Sequence, residues 1–163
     1  MHEASRGQRA LATTTSESAR DDDDGAAVAI APLNLTTLVV DEVRTNRTVV
    51  QKQLNSIGCT VLPVSHAGKA LESFEEGEPD LVIIDAAMCS GDGYEVARVI
   101  KERAGDRFVP VIFMTSSGDE VSLARYLESG ADDVLVCPFS PVVLRAKLNA
   151  YRRMIENYRE IRQ

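Results

Sequence analysis

The chain contains 163 residues, of which 44% are hydrophobic and 26% are charged, a composition that is normal for one soluble globular domain with appendages. Its formal net charge of −7 at pH 7 argues against a general affinity for nucleic acid, whose phosphates it would repel. No apolar run approaches the ~20 residues that span a bilayer, and the N-terminus lacks the apolar core of a signal peptide. We therefore expect a cytoplasmic protein with no membrane partner and no direct nucleic-acid partner.

Residues 1–34 differ in composition from the rest of the chain. They mix Ser, Thr, Ala and Arg with a run of four acids, Asp21 to Asp24, and they show no lasting hydrophobic periodicity. This pattern predicts a disordered acidic and polar tail. The acidic run could also be a docking element for a partner, an alternative that the sequence leaves open.

From Leu35 onward the chain alternates between strand and helix patterns. Leu35–Asp41 is rich in β-branched residues, which favours a strand, and Thr45–Ser56 has the apolar spacing of a helix. The helix face that we expect to be buried comprises Val49, Val50, Leu54 and Ile57. Further strands are predicted at Thr60–Val64, Leu81–Asp85, Val109–Thr115 and Asp133–Cys137. Further helices are predicted at Ala67–Glu76, Tyr94–Arg103, Glu120–Ser129 and from Pro141 almost to Gln163.

Five predicted strands alternating with five helices indicate an α/β fold, a parallel sheet with helices on both faces. Right-handed crossovers leave few topologies, and we expect the flavodoxin-like strand order 2-1-3-4-5. The unbroken apolar run Leu81–Asp85 is typical of a central strand that is covered on both faces. In such sheets ligands bind beyond the carboxyl ends of the strands, so the residues that follow the strands are the candidates for a functional site.

Acidic and hydroxyl side chains follow several of the predicted strands. Asp41 and Glu42 come at the end of the first strand, and Asp85 ends the third. Thr115 and Ser116 follow in the same way at the end of the fourth strand. Three carboxylates that converge on one crevice repel one another unless a cation or a proton joins them, and hard oxygen ligands favour Mg²⁺. Any one of these acids alone could instead cap the helix that follows it.

From Leu35 to about Tyr151 the chain resembles the receiver-domain family of bacterial two-component response regulators. The resemblance rests on LVVDEVRTNR, DLVIIDAAMCSGDGYEVARVIK, VPVIFMTSS and GADDVLVCPF, which together are highly specific. It implies a CheY-like receiver domain at residues 35–150 that accepts a phosphoryl group on Asp85 from a sensor histidine kinase or a phosphotransfer protein. Such a domain is a signalling phosphoacceptor with at most self-phosphorylation and self-dephosphorylation activity, and it is not an ordinary enzyme.

The resemblance also implies a metal site. Asp41 and Glu42 match the acidic pair with which the family holds Mg²⁺, directly or through water. Asp85 and the backbone carbonyl of Ala87 would complete this site.

The remaining matched residues concern the phosphoryl group itself. Phosphoryl transfer mainly needs positioning and neutralisation of the phosphoryl oxygens. The resemblance implies that the Thr115 hydroxyl and backbone N–H groups near Ala87 and Ser116 donate hydrogen bonds to them. A new dianion on Asp85 would pull Thr115 inward and shift the loop into the fourth helix, which is a two-state switch.

Cys137 is the most informative departure from the family pattern, because it stands where the family carries a lysine that pairs with the phosphoryl group. Losing a charge-assisted hydrogen bond costs about 1.5–3 kcal/mol, so we expect phosphorylation to be harder, shorter-lived or absent. The alternative function is therefore a degenerate, non-phosphorylated receiver that acts as a protein-binding or dimerisation scaffold. Val134 departs as well, since many members carry a switch aromatic at this position.

The cysteines Cys59, Cys89 and Cys137 are odd in number and lack CxxC spacing, which argues against a disulfide framework or a structural zinc site. Cys59 is expected to contribute to packing. Cys89 stands where the family usually has proline; a neutral substitution is the favoured interpretation, and an exposed, oxidisable thiol is the alternative. A redox role for Cys137 is disfavoured, because the surrounding carboxylates oppose the thiolate.

The last predicted helix carries a heptad pattern. The seam has 4-3-4-3 spacing and consists of Leu144, Leu148, Tyr151, Ile155 and Tyr158. With the first two residues packed on the sheet, the free seam covers about two heptads. We therefore expect residues 151–163 to extend the helix as a linker to a downstream effector domain or as a segment that forms a homodimer.

Two other classes of protein fit the sequence less well. A haloacid-type phosphatase also has an acid after a strand, but it needs a second carboxylate where this chain has Ala87. A flavodoxin-like cofactor carrier needs a Gly-rich or Ser/Thr-rich phosphate loop after the first strand, and the chain has none there.

Overall fold

A computed structural model describes residues 31–88 and 93–162, in which strands and helices alternate along the chain. The strands are β1 (Thr36–Val40), β2 (Thr60–Val64), β3 (Leu81–Asp85), β4 (Val111–Thr115) and β5 (Asp133–Val136). The helices are α1 (Arg44–Ser56), α2 (Ala67–Gly77), α3 (Gly93–Ala104), α4 (Glu120–Glu128) and α5 (Pro141–Ile161). No helix in these residues combines the length and the apolar character needed to cross a membrane.

The strands form one parallel sheet in the order β2-β1-β3-β4-β5, which confirms the predicted α/β fold and its order 2-1-3-4-5. Leu38 of β1 is paired with Leu62 of β2 on one side and with Val82 of β3 on the other. Strands β1, β3 and β4 are almost entirely buried. Continuous apolar runs suit this position, because helices cover both faces of such strands.

Two apolar layers hold the helices on the sheet. On one face, Leu54 of α1 and Leu148 of α5 pack in a cluster with Ile83. On the other face, Phe74 of α2 and Ile100 of α3 belong to a second cluster. Because the strands are parallel, their carboxyl ends lie together at one edge of the sheet, which is where the candidate site was predicted.

The buried face of α1 is narrower than predicted. Val50 and Leu54 are buried, and so is Ile57 directly after the helix. Val49, however, is 56% exposed. Adjacent helical residues point about 100° apart, so Val49 cannot share the core direction of Val50.

The packed domain begins before Leu35. Leu33 is 3% exposed and belongs to the same cluster as α1 and α5. Its N–H donates to the carbonyl of Ile57 at 3.0 Å, and the N–H of Asn34 donates to the carbonyl of Gly58 at 3.0 Å. Residues 33 and 34 thus pack with the domain, although their composition groups them with the tail. The acidic run at residues 21–24 lies outside the described residues.

The seam predicted on α5 is largely buried in its own domain, which corrects the expectation of a free seam beyond Leu148. Tyr151 is 9% exposed and Ile155 is 1% exposed, and both belong to the core cluster beneath α1. The Tyr158 ring contacts Phe108 at a centroid distance of 5.8 Å. The heptad pattern therefore reflects packing within the domain. Phe108 packs against the same cluster and so extends the apolar surface that α5 contacts.

Candidate functional site

A cavity of about 410 Å³ opens at the carboxyl edge of the sheet. Its lining contains most of the predicted site residues, namely Asp41, Asp85, Ala87, Thr115, Ser116 and Cys137. The remainder of the wall is mainly apolar and amide, and it includes Val43, Asn46, Val49, Val50, Gln53, Met114, Pro138 and Phe139. The fold thus brings residues from four strand ends to one place.

Asp41, directly after β1, forms the buried floor of the cavity. It is 2% exposed, and its Oδ1 accepts a hydrogen bond from the N–H of Val43 at 2.9 Å. Burial raises the pKa of Asp41 to about 6, and the charge of Asp85 acts in the same direction, while the Val43 N–H and Arg47 oppose the shift. The two carboxyl groups therefore repel each other when both are ionised, and a proton or a cation shared between them would relieve the repulsion.

Asp85 ends β3 and faces the same cavity. Its Oδ1 accepts a hydrogen bond from the N–H of Ala87 at 3.0 Å, which orients the carboxylate. The strand behind it is held to β4, since the N–H of Ala86 donates to the carbonyl of Met114 at 2.8 Å. Gly93 at the start of α3 lies so close that an added Cβ would be 3.3 Å from the Asp85 carbonyl. A side chain at Gly93 would therefore press on the backbone of Asp85.

Thr115 ends β4 and is 5% exposed. Its Oγ1 accepts a hydrogen bond from the N–H of Ser117 at 3.0 Å and lies 3.2 Å from the hydroxyl oxygen of Tyr126. Ser116, the next residue, also lines the cavity. The Thr115 hydroxyl group thus lies at the cavity, and its contact with Tyr126 connects it to helix α4.

Cys137 follows β5 and is half-buried in the cavity wall. Its N–H donates to the carbonyl of Thr115 at 2.7 Å, which fixes the backbone. Burial raises the pKa of the Cys137 thiol, and the charges of Asp85 and Asp41 raise it further. The thiol is therefore neutral at physiological pH. Within residues 31–88 and 93–162 no lysine or arginine lines the cavity at the position of the family's lysine or elsewhere; Arg47, the cation that acts on Asp41, donates to its backbone carbonyl at 2.8 Å.

The fit to Mg²⁺ depends on oxygen donors. Asp41, Asp85 and the carbonyl of Ala87 offer the hard oxygen atoms that this cation prefers. Glu42 is half-buried and is not part of the cavity lining, so its role as a ligand stays a prediction. Among the described residues no three acidic, histidine or cysteine side chains are close enough to hold a metal by themselves. The two aspartates alone offer too few oxygen ligands, so backbone oxygens, water or Glu42 would have to complete the coordination of a cation here.

Sequence reasoning missed two groups of residues at this site. Asn46 and Gln53 line the cavity from α1, and no hydrogen-bond partner for the buried side-chain oxygen of Gln53 is found among the described residues. Both share a helix face with Val49 and Val50, so the spacing after Asp41 could have revealed them. Tyr126 had no comparable signal, because its contact with the site depends on tertiary packing. Cys89 lies outside the described residues.

Comparison with known proteins identifies the domain. The family model of the response regulator receiver domain matches residues 37–149. A probable transcriptional regulator ycf27 of Guillardia theta is 39% identical over 116 residues, which cover 71% of this chain and 44% of that protein. The phosphate regulon transcriptional regulatory protein PhoB of Klebsiella pneumoniae is 33% identical over 118 residues, which cover 72% of this chain and 52% of that protein. The chain spans about half the length of these curated relatives.

Solved structures agree with these matches. The BeF₃-activated DrrB receiver domain is 28% identical with a TM-score of 0.63, and the alignment covers 72% of this chain and 97% of that one. A two-component response regulator from Clostridium difficile, 23% identical with a TM-score of 0.66 and coverage of 74% and 97%, shares the fold. The predicted family and fold are both confirmed, and this chain belongs to the response regulator receiver domain family.

Proposed function

We propose that this chain accepts a phosphoryl group on Asp85 from a sensor histidine kinase or a phosphotransfer protein. The observation that carries the proposal is the Asp41–Asp85 pair, in which a buried carboxyl group has its pKa raised to about 6 beside a second carboxylate. Keeping two like charges together is costly unless a cation joins them. The pair lies in an open cavity that a phosphodonor can reach.

Asp85 is the acceptor in this proposal. The hydrogen bond from the Ala87 N–H holds its Oδ1 and so sets the orientation of the carboxylate toward an incoming phosphoryl group. Ser116 and Thr115 line the same cavity, and in this proposal the Ser116 N–H and, once released from its present partners, the Thr115 hydroxyl donate to phosphoryl oxygens. The protein's contribution is thus positioning and charge stabilisation, as phosphoryl transfer requires.

Asp41, Asp85 and the Ala87 carbonyl would hold Mg²⁺, and Glu42 remains a further candidate ligand. When bound, Mg²⁺ neutralises negative charge on the carboxylates and on the phosphoryl oxygens. Because the Asp41 carboxyl group binds a proton below about pH 6, we expect protons and Mg²⁺ to compete for the site.

The output of the domain is proposed to be a partner protein, a downstream effector domain or a second copy of the chain. The curated relatives named above are transcriptional regulators about twice as long as this match, which supports an effector domain as the partner. Since Tyr151 and Ile155 are buried, self-association through α5 would use the opposite side of the helix. Exposed apolar residues elsewhere on the helix include Val142, Met154 and Ile161.

The test is incubation with acetyl phosphate and Mg²⁺, followed by intact-mass analysis and Phos-tag electrophoresis. We expect a phosphoryl adduct on the wild type and none on Asp85→Asn. Asp41→Asn retains the acceptor and should need a higher Mg²⁺ concentration for the same yield. An adduct on Asp85→Asn would move the acceptor to another residue and contradict the proposal.

A degenerate receiver is the second candidate, and one observation favours it. Cys137 is neutral, and the described cavity lining contains no cation to pair with a phosphoryl group. A wild-type chain that binds Mg²⁺ measurably but forms no adduct would favour this scaffold function. Such a protein would present a constant surface to its partner, whatever the state of the kinase.

A further inference from the structure

The aromatic residue that contacts Thr115 comes from α4. The hydroxyl oxygen of Tyr126 lies 3.2 Å from Thr115 Oγ1. The family's switch aromatic is expected instead on β5, where this chain has Val134. Val134 is paired with Phe113 across the sheet, and the Tyr126 ring packs on that same Phe113 at a centroid distance of 5.6 Å. Tyr126 therefore places an aromatic ring and a hydroxyl group close to Val134, the position at which the family's switch aromatic is missing.

The Thr115 hydroxyl is fully engaged on the α4 side. A threonine hydroxyl offers one donor and two acceptor positions. Its oxygen accepts from the Ser117 N–H at 3.0 Å, and the Tyr126 hydroxyl and the Ser117 carbonyl, at 3.2 and 3.5 Å, are its other contacts. Among the described residues no hydrogen bond joins Thr115 Oγ1 to Asp85. A distance of 3.2 Å is already long for a bond between two hydroxyl groups, so movement toward Asp85 would break it.

Tyr126 also connects α4 to α3. Its ring is stacked on Tyr94 with centroids 5.9 Å apart, and the guanidinium of Arg125 lies 5.1 Å from the centre of the Tyr94 ring. Helix α4 has no buried residue of its own. The half-buried Tyr126 is thus a main attachment of α4 to the domain.

We propose that Tyr126 is a positioning residue that holds Thr115 away from Asp85 in the resting state and transmits its release to α4. This inference rests on the proposed function, since the event that draws Thr115 away is a phosphoryl group on Asp85. In the resting state the hydroxyl pair stabilises the inward-packed ring. After phosphorylation the Tyr126 hydroxyl loses its partner, and the stack with Tyr94 is free to rearrange.

The first test is a titration with beryllofluoride and Mg²⁺, since beryllofluoride mimics a phosphoryl group on a carboxylate. Tyr126→Phe keeps the ring and removes only the hydroxyl that competes for Thr115. It should bind beryllofluoride about threefold to tenfold more tightly than the wild type, the effect of one neutral hydrogen bond. Tyr94→Phe is the matched control, because it removes a hydroxyl from the same stack without touching Thr115. Its affinity should equal that of the wild type.

The second measurement reports the hydrogen bond directly. The chain has four tyrosines, so labelling with tyrosine carrying ¹³C at the ζ position gives few NMR signals, and Tyr126→Phe assigns one of them. Saturation with beryllofluoride should move that signal, and Thr115→Val should move it in the same direction without any ligand. Both shifts together with tighter binding by Tyr126→Phe support the proposal.

The outcomes separate this inference from the proposed function. In one outcome the wild type binds beryllofluoride, but the Tyr126 signal does not move and Tyr126→Phe has the same affinity as the wild type. This result overturns the role of Tyr126 and leaves Asp85 as the acceptor. Wild type that fails to bind beryllofluoride in the presence of Mg²⁺ overturns the proposed function, and the coupling through Tyr126 with it.

Discussion

At the scale of single residues, the charge of the cavity depends on Asp41, Asp85 and Cys137. Burial and mutual repulsion raise the pKa of Asp41, and burial and the same carboxylates raise the pKa of Cys137. Both effects favour the neutral forms of these two groups. The described cavity lining contains no lysine or arginine, so the charge at its surface depends on what binds there.

The first prediction concerns Cys137. Cys137→Lys places an ammonium group beside Asp85, which should increase the yield or the lifetime of the phosphorylated form roughly tenfold to a hundredfold. Cys137→Ser is the matched control, because it keeps a small neutral side chain and should behave like the wild type. Intact mass after incubation with acetyl phosphate, followed over time, measures both variants. Equal yields and lifetimes in the two variants would show that missing charge is not what limits the site.

The second prediction concerns pH. The pKa of Asp41 rises from 3.8 to about 6 on folding, so the folded protein retains a proton that the unfolded chain releases. The resulting stabilisation is fully present below about pH 4 and is lost as the pH rises through about 6. Relative to Asp41→Asn, the unfolding free energy of the metal-free wild type should fall by up to about 3 kcal/mol over that interval.

Urea unfolding of the two proteins across this pH range measures the difference. Added Mg²⁺ should stabilise the wild type more at neutral pH than at pH 5, because it takes the place of the proton. The difference in unfolding free energy between wild type and Asp41→Asn could instead be the same at every pH. Ionising Asp41 would then cost no more free energy in the folded protein than in the unfolded chain.

At the scale of elements, α4 and α5 are attached to the domain in different ways. Helix α4 begins at the Asp119 cap, whose side chain accepts from the Ser122 N–H at 2.9 Å, and it has no buried residue. Helix α5 buries Leu144, Leu148, Tyr151 and Ile155. The helix next to Thr115 is thus attached only through partly buried side chains such as Tyr126, while the last helix is part of the core.

The third prediction separates packing from self-association in α5. Ile155→Ala should lower the unfolding free energy by about 2–5 kcal/mol, since Ile155 is 1% exposed. Met154→Ala, on the exposed side of the same turn, should change it by less than about 0.5 kcal/mol. Urea unfolding measures both. Similar small losses in the two variants would mean that the seam does not pack on the domain in solution.

At the scale of the whole molecule, charges are arranged differently at the two edges of the sheet. The acids at the amino-terminal ends of strands are paired with cations: Asp80 with Arg159 at 2.6 Å and Asp133 with Lys147 at 3.0 Å. Asp132 is likewise paired with Lys101. At the carboxyl edge, the described cavity lining has two aspartates and no cation. Negative charge is thus balanced where it serves structure and left unbalanced at the candidate site.

The fourth prediction concerns where the folding unit begins. A chain that starts at Ala31 keeps Leu33 and should have the same unfolding free energy as the full chain to within about 0.5 kcal/mol. A chain that starts at Leu35 loses the burial of Leu33, which should cost about 1.5–3 kcal/mol. Thermal and urea unfolding compare them. If both shortened chains matched the full chain, the packing of Leu33 would contribute nothing to stability.

Much of the fold and part of the site could be predicted from the sequence because their signals are local. Apolar runs and helical spacing identified the strands and helices, and parallel topology placed Asp41, Asp85 and Thr115 at one edge. Limits of individual elements differed by a residue or two, as for β4, which begins at Val111 and not at Val109. Pro110 explains this, because it cannot donate a hydrogen bond to a neighbouring strand.

Only the tertiary structure decided which group each of these side chains contacts. Asp80 and Asp85 flank the same strand and look alike in the sequence, yet Asp80 is neutralised by Arg159, which is 79 positions away, whereas Asp85 meets a second carboxyl group. The burial of Ile155 and the contact of Tyr126 with Thr115 are of the same kind. Electrostatic and packing energies depend on distances between residues remote in the chain, and a local pattern carries no record of those distances.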